Sequence, residues 1–439
     1  MPPAPLAPRP ARRRPPRARL ALVATALALV AALRGSPARA APALVAVEVV
    51  PFDGPAVAGP LAEVTATTLR LEGRADPIDL DTVREVRFAG TTAPAATGEG
   101  TPVRVGLRGE ELIVGRVTAA DDVGLEVAVA GLAPLRLVFD LVRRVEADPP
   151  GRPPCDQTAT RNPPRPNADV AYTRAGDAYA GTLEGASLDG VVLDDGGTKS
   201  TVRWADLAIL HVDEPALAAP TGRTVEVETR GGTRLPSTTA TYDGATWTLA
   251  TASGLAVKVP AAAAAVVRFG GGRYVHASRL PFEYRHTPPN ADEAVPAEYH
   301  APWYAATVDR MVLGCPLRIA GVTYRHGIAV HSKSTVSLPL GKRYARFFGK
   351  FGVDDGDETT RETQAPLEHL RGDVTARVLA DGREVWSSGG SVKWGQPARV
   401  LPPLDVTGVE TLVLEVDFGA ESDTNDYADW VDVVLERAR

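Results

Sequence analysis

Residues 317–334 read LRIAGVTYRHGIAVHSKS, with apolar side chains alternating with polar ones on both sides of a glycine-containing turn. A period of two is the signature of a half-buried strand. Leu317, Ile319, Val322 and Tyr324 therefore predict a hairpin, and Ile328 and Val330 the strand after it. The alternation continues through 344–353 (YARFFGKFGV), 374–379 (VTARVL) and 409–418 (VETLVLEVDF), and 423–435 read DTNDYADWVDVVL. Asp381-Gly382 marks a further hairpin turn leading into 384–386. About eight short strands separated by turns, with almost no regular helix, predict a two-sheet antiparallel sandwich of jelly-roll type over residues 303–439.

Upstream, a different periodicity recurs. Ile78, Leu80, Val83, Val86 and Phe88 form a spaced apolar run that Leu137, Phe139, Val142 and Val145 repeat in four of five places. Val202, Trp204, Leu207, Leu210 and Val212 repeat all five, and a degraded copy ends at Val257, Val259, Val267 and Phe269. The matching positions Val86, Val145, Leu210 and Val267 lie 59, 65 and 57 residues apart. Self-similarity at a near-constant period predicts repeated structural units. Ahead of each ending the pattern is strand, turn, strand, clearest in GDAYAGTLEGASLDGVVL at 176–193, where Gly181 falls inside a strand and would let it bend. This stretch resembles the Sm-like small barrels. The chain as a whole is expected to be all-β, an array of small β-barrel-like repeats followed by the C-terminal sandwich.

Proline punctuates the chain. Residues 148–167, DPPGRPPCDQTATRNPPRPN, read as an extended linker between the repeats of 41–147 and those of 168–280. A second break, 281–302, carries HTPPNADEAVPAEYHAP. The first 40 residues combine eight arginines and no acid with an apolar run, 20–33, and an Ala38-Arg39-Ala40 ending. That is the layout of a cleavable signal peptide cut near Ala40, and it predicts a secreted or periplasmic protein.

Removing those arginines leaves 40 basic against 54 acidic side chains. Such a balance excludes the basic footprint that nucleic acid requires, and no later segment is apolar enough to span a membrane. Two cysteines, Cys155 and Cys315, leave a single disulfide as an open alternative.

Residues 304–439 resemble the NPCBM family of carbohydrate-binding modules. The resemblance rests on YAATVDRM, PLRIAGVTYRHGIAVHSKS, FGVDD, VLADGREVWSSG, VTGVETLVLEV and DYADWVDVVL, in the family's order. It implies a lectin-like sandwich whose partner is a glycan or cell-envelope polysaccharide. Two departures stand out: the charged insertion GDETTRETQAPLEHLRGD after FGVDD, and Val431 after Trp430 in place of a small residue. Some related modules carry a structural calcium, for which Asp355, Asp357 and Asp423, with Asp354 and Asp426, supply hard oxygen ligands.

Sugars are held by planar hydrogen-bonding groups and an aromatic ring, on loops at one end or one face of a rigid scaffold. The candidates are Tyr324, His331, Trp394, Asp426 and Trp430. Each has a structural alternative: core packing for Tyr324 and Trp430, a buried strand-turn histidine for His331, a rim tryptophan for Trp394 and a loop-capping aspartate for Asp426. No Ser/His/Asp arrangement, H-E-x-x-H or P-loop is present, so the expected protein is non-catalytic. The alternatives are an envelope protein that contacts other proteins, or a glycoside hydrolase accessory protein.

Overall fold

The computed structural model describes residues 44–90, 99–147, 162–218, 222–287, 304–312, 314–356, 371–420 and 423–438. The expected signal peptide, most of the Pro-rich linker with Cys155, and most of the insertion after FGVDD lie outside them. Among the described residues the regular structure is strand, apart from three 3-10 turns, and none of its helices is long and apolar enough to cross a membrane.

The first twenty strands fall into four sets of five with one connectivity. In the first set Ala46–Pro51, Val57–Val64, Thr68–Leu71 and Ile78–Asp79 pair in sequence. A 3-10 turn, Leu80–Thr82, then sends Val83–Phe88 back onto the first strand. The sets beginning at Thr101–Leu107, Asp169–Thr173 and Thr224–Thr229 repeat this closure. The apolar endings seen in the sequence run from the fourth strand through the turn into the fifth strand of each set, and Val83, Val142, Leu207 and Val267 are fully buried in one continuous core.

Each second strand carries a register shift at the same place, at Leu61/Glu63, Val117/Ala119, Leu183/Gly185 and Ser237/Thr239. A bulge adds twist and turns a corner, so one long strand pairs with the first strand in its early half and the third in its late half. Gly181 permits the close approach at that corner, since a Cβ there would sit 2.6 Å from the Asp194 carbonyl oxygen. Gly115 holds the equivalent place in the second set.

The fifth strands also join the sets to one another. Val86 pairs with Val267 and Val145 with Leu210, which are the equivalent positions of the repeat. Antiparallel pairing of equivalent residues places a local two-fold axis at each contact, so set one meets set four and set two meets set three.

The C-terminal sandwich has two antiparallel sheets. The first orders Thr307–Val308, Gly327–His331, Tyr427–Arg437, Tyr344–Val353 and Arg399–Asp405; the second orders Glu283–His286, Ser334–Pro339, Thr411–Phe418, Asp373–Ala380 and Arg383–Ser387. Between them lie Phe347, Phe351, Trp430, Val336, Val378 and Leu414, all nearly inaccessible. The expected hairpin, Leu317–Ile319 with Val322–Tyr324, turns at Ala320 and Gly321, both at positive φ. That is the primed turn whose twist suits a tight hairpin.

The break expected at 281–302 does not hold as an unstructured linker from its start. Glu283–His286 is an edge strand of the second sheet, paired with Ser334–Ser337. Just before it, Tyr274–His276 pairs with Val434–Glu436 in the first sheet. The sandwich therefore takes two strands from residues ahead of its expected boundary.

Side chains reinforce this junction. Glu436 is 3% exposed and is gripped by Arg273 and Arg346. Arg346 also reaches Asp53 in the first set at 2.9 Å, and Phe52 stacks on Tyr274 at 4.6 Å. Arg325 of the sandwich bonds Glu226 of the fourth set at 3.2 Å. Removing one partner of a buried ion pair leaves the other uncompensated. Glu436→Gln is expected to destabilise the chain by about 3 kcal/mol and to separate the unfolding of sandwich and repeats into two calorimetric transitions.

Candidate functional site

Five segments meet at one end of the sandwich. The turn His331–Ser334 crosses from the first sheet to the second, and beside it lie the starts of the Asp373–Ala380 and Tyr427–Arg437 strands, the end of Glu283–His286, and Tyr304. Asp426 ties them together. Its carboxylate accepts the Ser332 hydroxyl at 2.6 Å and the Asp373 N–H at 2.8 Å, and its carbonyl accepts the Ser332 N–H at 3.2 Å. The Ser332 carbonyl lies 2.9 Å from His286 Nε2 and 2.7 Å from His331 Nδ1.

Around this knot stands a group of rings. Tyr304 stacks on His286 with centroids 4.5 Å apart and 16° between planes. Its edge meets His331 at 4.6 Å, and His331 meets Tyr427 at 4.9 Å, both nearly perpendicular. The Tyr304 hydroxyl points at the Asp423 carboxylate, 3.5 Å away, and the Tyr284 hydroxyl donates to the Tyr304 carbonyl. His331 is buried, while His286, Tyr304, Asp423 and Tyr427 are half-buried at the rim. Burial holds the His331 imidazole below its ordinary pKa, so it is neutral at pH 7. The end sets half-buried ring faces and one carboxylate at the rim around a buried, neutral imidazole.

Of the sequence candidates, His331 and Asp426 belong to this end, and Asp426 is a buried tie with no exposure. Burial, opposed by the Ser332 and Asp373 hydrogen bonds, raises its pKa to about 7. Trp394 is half-buried on the flank: its backbone N–H donates to the Gly372 carbonyl at 2.9 Å, its indole N–H to the Asp355 carbonyl at 3.4 Å, and Arg371 lies 5.6 Å from its ring centroid.

Two candidates do not belong. Trp430 has no exposed surface and packs 4.5 Å from Phe351 between the sheets, so its ring is closed to any ligand. Tyr324 sits in the hairpin under Lys350, 5.0 Å from its ring centroid, over the small core of Met311, Cys315, Leu317 and Ile319. The fold does not bring it to the His331 end.

The aspartates considered for calcium serve other purposes. Asp355 accepts the Ala320 and Gly321 N–H groups at 2.9 and 2.7 Å, and Asp354 accepts those of Arg318 and Gly356 at 3.0 and 2.7 Å. Together they pin the 317–324 hairpin to the sandwich. Asp357 lies outside the described residues, and Asp423 faces Tyr304. Among the described residues no group of three His, Cys, Asp or Glu side chains is disposed to hold a metal. Cys315 is disulfide-bonded; the chain's other cysteine, Cys155, lies outside the described residues.

Sequence reasoning missed His286, Tyr304 and Tyr427. Tyr304 opens the YAATVDRM segment and Tyr427 follows Asp426, so both were adjacent to quoted motifs. His286 fell in a stretch read as linker.

The two-sheet antiparallel sandwich, with its ring cluster at one end, is the part of the chain that a known protein family matches. Residues 290–436, a third of the chain, carry an NPCBM/NEW2 domain. A protein of Renibacterium salmoninarum named "Putative endo-alpha-N-acetylgalactosaminidase" is 26% identical over 117 residues, covering 27% of this chain. The chain spans 7% of that relative's length. Among solved structures, the CBM51 module of Clostridium perfringens GH95, in complex with methyl-galactose, is 21% identical at TM-score 0.28, with 37% of this chain and 99% of that one covered. The tandem CBM51 modules of Sp3GH98 from Streptococcus pneumoniae SP3-BS71 are 13% identical at TM-score 0.29, covering 61% of this chain and 88% of theirs.

Proposed function

We propose that this is an exported, non-catalytic carbohydrate-binding protein whose sandwich holds a glycan at the His331 end. The observation that carries this reading is the half-buried ring pair Tyr304 and Tyr427 set against neutral, buried His331, with Asp423 at the rim. A sugar ring would lay its C–H face on a tyrosine and give its hydroxyls to the Asp423 carboxylate at the rim, with the buried imidazole holding the rings in place. The NPCBM/NEW2 domain supports the same ligand class, and the relative named for a glycosidase fits a setting in which such modules accompany enzymes acting on glycans. The four five-stranded sets are the rigid support, joined to the sandwich through Glu436 and the Tyr274–His276 strand. Export rests on the signal-peptide pattern of the first 40 residues.

The experiment is a glycan array probed with the full chain, including galactosides and N-acetylglucosamine. Saturable binding to a defined group of glycans is expected. A folded chain that binds none of a broad array, yet self-associates or captures an envelope protein, would replace this reading with the protein-interaction one. Release of reducing sugar would show catalysis.

A further inference from the structure

The second sheet carries, on its outward face, a groove of about 430 Å³ lined by Thr375, Arg377, Ser387, Ser388, Glu415 and Asp417, with the Gly389 and Gly390 backbone as one wall. Strand register explains its floor. Arg377 pairs with Ser387 on one side and Glu415 on the other, and Glu415 pairs with Thr335, which pairs with Arg285. One polar row therefore crosses all five strands. Neighbouring strands stand about 4.8 Å apart, so Ser387 to Glu415 spans roughly 10 Å.

The wall is fixed in advance. The Ser388 hydroxyl, buried, donates to the Gly390 carbonyl at 2.6 Å and accepts the Ala376 N–H at 3.1 Å. Arg399 holds the Ser388 carbonyl and, at 2.7 Å, that of Ser391. Gly389 and Gly390 have φ of 66° and 134°, which side chains rarely adopt, and a Cβ on either would meet nothing within 4 Å. The loop thus stays low and open over the groove without losing order.

The lining selects a ligand class. Its volume is in the range of small-molecule sites, roughly 300–1,000 Å³, but those are mostly apolar. This groove has no aromatic side chain, so it offers no stacking face and, unlike the His331 end, would hold a ligand through hydrogen bonds alone. Its charges are matched: Arg377 bonds Glu415 at 2.8 Å and lies 4.0 Å from Glu384, and Asp417 meets Lys333 at 3.3 Å. An anion would compete with two carboxylates for Arg377, and a cation with the guanidinium for Glu415. A neutral chain of hydroxyls can bridge donors and acceptors without displacing either.

We propose that this groove is a second binding site, for a neutral oligosaccharide of two or more residues lying across the strands, distinct from the His331 end. The proposal stands whether or not that end binds sugar. The test is calorimetric titration of the full chain with neutral malto-, galacto- and chito-oligosaccharides of one to five residues, and with an oligouronate as the charged control. It is run on the Tyr304→Ala chain, which removes the rings' end from the measurement, and on Tyr304→Ala combined with Arg377→Ala. Arg377 is half exposed, so the second change is compatible with folding, which unchanged melting would verify. Expected are binding of at least one neutral series that strengthens from one to three residues, and a loss of tenfold or more on Arg377→Ala. No binding in the Tyr304→Ala chain, affinity indifferent to Arg377→Ala, or preference for the oligouronate would each overturn the proposal.

Discussion

Trp430→Ala is expected to cost about 3–5 kcal/mol of sandwich stability, the range for emptying a fully enclosed aromatic site. Trp430 stands on the central strand Tyr427–Arg437, opposite Ile328 on one side and Phe351 on the other. Its ring lies 4.5 Å from Phe351 and 6.1 Å from Trp386. Both neighbours belong to ordered strands, so neither can collapse into the space. Trp394→Ala, in contrast, removes a ring already half in water and should cost about 1 kcal/mol. Denaturant unfolding followed by tryptophan fluorescence and far-UV dichroism would measure both. Equal, small losses would mean that Trp430 is not the centre of the sandwich.

The second large effect is a pH dependence carried by Asp426. In the unfolded chain its carboxyl ionises near the ordinary value of 3.8, whereas in the native protein it does so at about 7. Between these values the native state holds a proton that the unfolded state has lost. Stability contributed by this group is therefore fully present below about pH 4, declines as pH rises, and levels off above about 7. The shift corresponds to on the order of 4 kcal/mol. Asp429 and Asp354, raised by burial, act in the same direction. Asp426→Asn keeps an oxygen for the Asp373 N–H and offers an amide to Ser332, but cannot titrate. Its melting temperature should vary less between pH 4 and 7 than that of the unsubstituted chain, and parallel profiles would contradict the assignment.

Much of the fold was legible because it is local. The Ala320-Gly321 hairpin, the alternation of 344–353 and the buried endings of the repeats all follow from neighbours a few residues apart. Glu283–His286 escaped notice because it is a four-residue edge strand, exposed and half-buried in turn, with Tyr284 as its one apolar body. Nothing in its composition separates it from the proline-rich residues that follow. The pairing of set one with four and two with three was equally hidden: the repeat reveals which residues are equivalent, and says nothing of which edges meet.

The site divides in the same way. His331 and Asp426 stood out within motifs, while the contact that makes them a site joins Ser332 to a residue 94 positions later and to His286, 46 positions earlier. Trp430 stood among the candidates, yet the apolar run it opens with Val431 and Val433 already pointed to core packing, and the strand does turn it inward. Its aspartate neighbour Asp429 is buried with it.

The most direct test of glycan binding at the His331 end is the affinity of the full chain for its best array glycan, before and after Tyr304→Ala and Tyr427→Ala. Truncating a central aromatic anchor commonly costs about 2 kcal/mol or more. Each substitution should therefore weaken binding tenfold or more while the sandwich melts within a few degrees of the original. Undiminished affinity in both folded variants would contradict the site.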